Sequence, residues 1–160
     1  MDTLTQACQL IQQKFNRLDV FNPIQIFEAR YAIEPAICRL CVLHAGKKDI
    51  KSLEVVVERM ENSQIRVDNF IELDLSFHCA LADATKNDFL IAVSQSLHFL
   101  DNQNPWCKKR KLCLTRDEIT KHLKAHRNIF AAIQSRDAER ASNEMKKHVN
   151  TAREMFCDVF

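Results

Sequence analysis

Four side chains able to bind a divalent cation recur on helical faces that ought to be apolar. Asp74 and His78 stand four apart in the stretch Ile71-Glu-Leu-Asp-Leu-Ser-Phe-His-Cys-Ala-Leu81. Val67, Phe70, Phe77, Leu81 and Ala84 mark the face a helix would bury there, and the acid and the imidazole fall within it. His126 occupies the same kind of position beside Ile119, His122, Ile129, Phe130 and Ile133. His148 does so beside Ala141, Met145, Val149, Ala152 and Phe156. Burying such groups is costly unless something compensates them. One carboxylate and three neutral imidazoles suit a divalent transition metal, which would neutralise the acid and satisfy the rings. Taken singly, each His would be expected to find its own hydrogen-bond partner in the core. Agreement across three helices favours a shared site.

The elements that must position these residues are helices. A chain of 160 residues can bury one substantial core, and its one Gly and three Pro leave few turns that need positive φ. An all-β fold is therefore excluded and an all-α one expected. A short helix is predicted over residues 2–15, with Leu4, Cys8, Ile11 and Phe15 as its stripe. A long helix follows from about Ile24 to His44, ended by Gly46 at C′, with Pro35 expected to kink it or split off its first turns. Asp49 caps the next helix, which turns Ile50, Leu53, Val57 and Met60 inward. The Asp74–His78 helix spans roughly Arg66 to Thr85 and ends in the turn Lys86-Asn87-Asp88. Asp88 to about Asp101 is helical, with Ile91, Ser94, Leu97 and His98 inward, and residues 102–114 connect onward. Thr115 with Glu118 forms a capping box for the His126 helix, and Ser135-Arg136-Asp137 turns the chain into the last one. The expected architecture is an antiparallel bundle of six or seven helices.

Other features exclude more than they suggest. A net charge of +2 is too small to imply a nucleic-acid or membrane surface by itself. The seven Cys are odd in number, and several lie in helical apolar patterns where thiols act as small hydrophobes. With no signal peptide and no apolar run of bilayer length, a reducing cytoplasm is expected. Cys38-Arg39-Leu40-Cys41 lies within a helix without a partner pair and reads as core packing, not as a zinc or redox motif. Cys107 and Cys113 read as exposed thiols, and Lys108 to Lys111 as a solvated loop. His98 and His122 are placed to line a cavity, whereas His44 falls at a helix end.

A set of short motifs then occurs in one order. It comprises Phe27-Glu-Ala-Arg-Tyr-Ala-Ile-Glu-Pro-Ala36, Asp74-Leu-Ser-Phe-His78, Ala82-Asp-Ala-Thr-Lys-Asn87, Ala125-His-Arg-Asn-Ile-Phe-Ala-Ala-Ile133, Arg136-Asp-Ala-Glu-Arg-Ala141 and Met145-Lys-Lys-His148. Together they resemble the C-terminal, ligand-binding (FCD-type) domain of FadR-subfamily GntR transcription regulators, over about residues 24–157, with residues 1–23 as an N-terminal helix and linker. The resemblance implies an all-helical domain that dimerises and senses a small organic acid. It also implies a metal, usually zinc and sometimes nickel or another divalent ion, held by one Asp and three His. Those match Asp74, His78, His126 and His148. Arg30 matches a position that often contacts the effector, and Glu34, one turn on, is placed to orient it. Arg30, Glu34, His98 and His122 are thus the expected effector-side residues.

Two departures from the family pattern stand out. Ala125 precedes His126 where an acid is common, which puts a supporting contact in doubt. Residues 1–23 are too short for the winged helix-turn-helix through which such regulators bind DNA, so the chain is expected to be either an isolated regulatory domain, such as an expressed fragment, or a protein without its own DNA reader. A metal-dependent hydrolase or lyase would need a general base near the ion, and no further acid lies on the three metal-bearing faces. An enzyme is therefore not expected. A metal-free interaction module, with each His hydrogen-bonded, is the third possibility.

Overall fold

A computed structural model of the chain describes residues 22–62, 66–103, 111–112 and 114–157. Among these lie six long helices and no strand: α1 (Pro23–His44), α2 (Lys47–Asn62), α3 (Val67–Ala84), α4 (Asp88–Gln103), α5 (Arg116–Gln134) and α6 (Ala138–Cys157). The all-α bundle expected from the scarcity of Gly is what forms. The helix predicted over residues 2–15, Cys107, Cys113 and residues 108–110 of the basic run lie outside the described residues. Lys111, at the end of that run, places its Nζ 3.2 Å from Asp68 Oδ1.

Local signals set most of the boundaries. Asn22 caps α1, its Oδ1 accepting from the Ile24 N–H at 2.9 Å, and Pro23 begins the helix where a missing N–H does no harm. Pro35 neither ends nor splits α1, which runs unbroken through it. The helix is held by its buried face, with Phe27, Ile37, Cys38 and Cys41 packed in the core, so tertiary burial offsets the one lost backbone bond. Thr115 caps α5 as expected, accepting from Glu118 N at 3.2 Å. The Glu118 carboxylate turns instead to Lys121 at 2.7 Å, so half of the predicted capping box is formed.

Gly46 does not close α1 in a left-handed conformation. Ala45 is extended at the C-cap (φ −62, ψ 123), and no Gly here has positive φ. Gly46 instead opens α2: its N–H donates to Asp49 Oδ2 at 2.8 Å and its carbonyl accepts from Ile50 N. Asp49 thus lies inside the first turn and reaches back, the acid half of a capping box. The left-handed turns are made by Lys86 (φ 58) after α3 and Arg136 (φ 60) after α5. Around Arg136 the Arg136 and Asp137 N–H groups return to the Ile133 and Ala132 carbonyls, a Schellman closure made without glycine.

α6 packs against α1 and α5, α2 bridges α3 and α5, and α4 lies on α3 and α1. Phe27, Ile37, Leu53, Phe77, Ile133 and Met145 are buried together at the centre. Burial pushes the Cys41 thiol up to about 12 and holds Cys38 well above the usual range, so both serve as apolar side chains. No helix among the described residues is long and apolar enough to cross a membrane.

Arg136 fastens the α5–α6 turn to the end of α1. Its two terminal nitrogens donate to the Val42 and Ala45 carbonyls, each at 2.8 Å, satisfying acceptors that a helix end would otherwise leave open. Arg136→Ala should lower the unfolding free energy by about 1–3 kcal/mol. Arg136→Gly, which loses the same bonds but suits positive φ, should cost about 1 kcal/mol less. Urea denaturation of the two variants checks this; a Gly variant no more stable than the Ala variant would remove backbone strain from the account.

Candidate functional site

Three helices present pairs of polar residues four apart on buried faces: Arg30 and Glu34 on α1, Asp74 and His78 on α3, His122 and His126 on α5. His98 on α4 and His148 on α6 complete the group, and all eight side chains are buried. Helical spacing stacks each pair on one face, and the bundle turns those faces toward one another. The residues singled out in the sequence are therefore brought together, but in two different settings.

The first setting contains Asp74, His78, His126 and His148, each offering a ligand atom within 4.8 Å of the others. His148 Nε2 lies 3.3 Å from His78 Nε2, and His126 Nε2 lies 3.3 Å from Asp74 Oδ1. His78 Nε2 is 3.8 Å from Asp74 Oδ1. Tetrahedral coordination with arms of about 2.0–2.1 Å separates donors by about 3.3–3.4 Å, so the cluster is close to the size a single cation needs. Two unprotonated Nε2 atoms at 3.3 Å would repel unless a proton or a cation lay between them.

A metal-free arrangement serves these rings poorly. Neither nitrogen of His126, nor Nδ1 of His148, meets a hydrogen-bond partner among the described residues. Each such orphan costs about 1–3 kcal/mol when buried. Burial holds both imidazoles below their usual range; Asp74 only partly offsets this at His126, and neighbouring His rings add to it at His148. Neutral rings with available lone pairs are what a metal requires. The donor set fits a divalent cation. Ala125, where an acid would have been in reach, lines a surface cleft instead, and His126 Nδ1 is accordingly without a partner among the described residues.

The second setting is centred on Glu34. Its Oε1 accepts from Arg30 Nε at 2.6 Å, with both side chains almost fully buried. Oε1 also lies 3.4 Å from His98 Nε2, and Oε2 lies 3.2 Å from His78 Nδ1, just outside hydrogen-bond geometry. Burial alone would push the Glu34 carboxyl up. Arg30 foremost, then His78 and His98, overcome it and hold the carboxyl well below its usual range. Burial also drives His98 down to about 3, aided by His78. The i, i+4 pairing of Arg30 with Glu34 was legible in the sequence, but the reach of Glu34 across to α3 and α4 was missed. No spacing rule connects residues 34, 78 and 98.

His122 sits beside His148. Its ring packs against His148 at 5.2 Å and Phe70 at 5.8 Å between centroids. With His148 it forms part of the wall of a cleft of about 220 Å³ between α5 and α6, rimmed by Lys121, Lys124 and Lys147. The expected effector-side residues are thus divided: Arg30, Glu34 and His98 on the Glu34 side of His78, and His122 beside His148.

Residues 25–151 match the FCD domain family. The chain belongs to that family. This FCD domain is 27% identical over 144 residues to the Uxu operon regulator of Haemophilus influenzae, covering 89% of the chain and 54% of that protein. It is 27% identical over 135 residues to the Exu regulon transcriptional regulator of Escherichia coli K12, covering 84% of the chain and 52% of the relative. The chain therefore spans about half the length of the curated relatives it matches. Its fold is similar to that of Streptococcus agalactiae GntR, with a TM-score of 0.67 at 24% identity, over 88% of this chain and 60% of that one.

The buried Arg30–Glu34 pair gives the FCD domain a specific sensitivity. Glu34→Ala takes its paired carboxylate from a guanidinium that is 0% exposed and should cost about 3–5 kcal/mol of stability. Replacing both charges together, Arg30→Met with Glu34→Leu, should stay within about 2 kcal/mol of wild type. Equilibrium urea unfolding distinguishes the two; equal losses would show that packing, not the split ion pair, sets the cost.

Proposed function

We propose that this FCD domain is the effector-sensing, dimerising part of a bacterial GntR/FadR-type transcription regulator, not an enzyme. On this reading Asp74, His78, His126 and His148 hold a divalent transition metal, zinc in the first place and nickel or another divalent ion in the second. The effector is a small organic acid. What carries the proposal is the convergence of those four donor atoms within 4.8 Å inside a family whose relatives are named as operon and regulon regulators.

The bound cation would supply a Lewis-acid position for one carboxylate oxygen of the effector. The chain's own residues do the rest. The apolar wall of Phe77, whose ring lies 4.5 Å from that of His126, keeps the donors dry and their geometry fixed. Arg30 offers a guanidinium to an acid group, a pairing strengthened by burial. Effector binding would bias how the helices pack at a dimer interface, and DNA contact would come from a separate winged helix-turn-helix domain. A regulator of this kind works in the cytoplasm.

Elemental analysis of protein purified without added metal should find close to one transition-metal ion per chain, lost in an Asp74→Ala, His126→Ala variant. Equal, negligible metal in both would sink the site. Screening small carboxylic acids by thermal shift should then yield a hit. At a ligand concentration about a hundredfold above Kd the stabilisation is worth roughly 2.7 kcal/mol. Arg30→Ala should abolish the shift, and a persisting shift would take Arg30 out of the effector site.

A further inference from the structure

Glu34 is the side chain that connects the two settings, and its neighbours decide what it can do. Glu34, His78 and His98 could by themselves be read as a second group of metal donors. The charge next to them argues otherwise. Arg30 Nε already sits 2.6 Å from Glu34 Oε1 in a fully buried position, so a divalent ion there would face a guanidinium at close range with little solvent to screen it. The carboxylate is neutralised without a second cation.

What remains is the other oxygen. Oε2 lies 3.2 Å from His78 Nδ1, while Nε2 of the same ring is 3.3 Å from His148 Nε2 and 3.8 Å from Asp74 Oδ1. The two ring nitrogens therefore face two different partners. A His that gives Nε2 to a metal carries its proton on Nδ1, and a carboxylate there fixes the tautomer, sets the ring plane and makes the ligand more basic. With the proton on Nδ1, that N–H has Oε2 at 3.2 Å. Among the donors, His126 and His148 have Nδ1 atoms without a hydrogen-bond partner among the described residues. Between those rings and His78, it is His78 whose Nδ1 has a carboxylate within 3.2 Å.

We infer that Glu34 is a positioning residue for the metal centre, holding His78 through Nδ1 with one oxygen while the other holds Arg30. This rests on the metal site proposed above. Its consequence is that the α1 guanidinium and the α3 metal ligand share one carboxylate, so a change at either is felt by the other through Glu34.

The test uses cobalt(II) as the probe, since its visible absorption reports both occupancy and ligand field. Wild type, Glu34→Gln and the double variant Arg30→Met, Glu34→Gln are titrated against a competing chelator. The double variant removes both charges of the pair, so cobalt binding is also read without the Arg30 guanidinium beside a neutral amide. Both are expected to bind cobalt at least tenfold more weakly than wild type. Their cobalt bands should also shift, because a loss of packing alone would lower occupancy without changing the field at the ion. A folded double variant that binds cobalt as tightly as wild type overturns the inference, and so does weaker binding with an unchanged spectrum. Wild type that takes up no cobalt would instead sink the metal reading itself, and with it this inference.

Discussion

Burying charge in a bundle with little else to neutralise it is the constraint on which this structure depends. Two carboxylates, a guanidinium and five imidazoles lie inside a domain whose interior is otherwise apolar but for Thr85, Ser94 and Ser142 among the described residues. Each would cost several kcal/mol if left alone. The Arg30–Glu34 pair at 2.6 Å offsets part of this cost within one helix. With Glu34 paired to Arg30, the Asp74 carboxylate on α3 faces the imidazoles of α5 and α6, and His126 and His148 gather with it while His98 lies beside Glu34.

The scaffold meets this demand with short, strongly determined connections. α3–α4 and α5–α6 are joined through left-handed Lys86 and Arg136, and Asn87 and Asp137 at once cap the helices that follow. The turns leave little freedom in how α3 meets α4 or α5 meets α6. Arg136 ties the second turn to the end of α1, and Arg39 pairs with Glu139 through two hydrogen bonds of 2.9 and 2.8 Å between α1 and α6. The exposed pair contributes little energy, but its forked geometry favours one register. A donor set held at spacings near 3.3 Å needs that register more than it needs extra stability.

Much of this was legible in the sequence, and the reason is periodicity. Apolar residues at helical spacing identified buried faces for five of the six helices, α1 being the exception, and three of those faces betrayed Asp74, His78, His126 and His148 as out of place. Signals that depend on one residue's neighbours in space were less readable. Gly46 looked like a helix terminator because Gly usually is one, but Asp49 took its N–H and made it a beginning. Pro35 was expected to kink α1 or split off its first turns; it splits off none, because the buried faces on either side of it carry the helix through. Glu118 had two possible partners, and Lys121 was as near in sequence as the cap. Glu34 could be matched to Arg30 because both lie on one helix, whereas its approach to His78 and His98 is a property of the packed bundle alone.

His78 is the residue through which the two buried settings meet. His126 and His148 each lie among imidazoles and apolar rings, with Nδ1 atoms that no described residue engages. His78 has Asp74 and His148 near one nitrogen and Glu34 near the other, and its ring packs at 4.5 Å from that of His98. A rotation of this ring would move Nδ1 and Nε2 together, so it cannot improve one contact without changing the other. Were the proposed metal and the Arg30 guanidinium to address one acid ligand, this ring would couple α1 to α3 through a single planar side chain rather than through a movement of backbone.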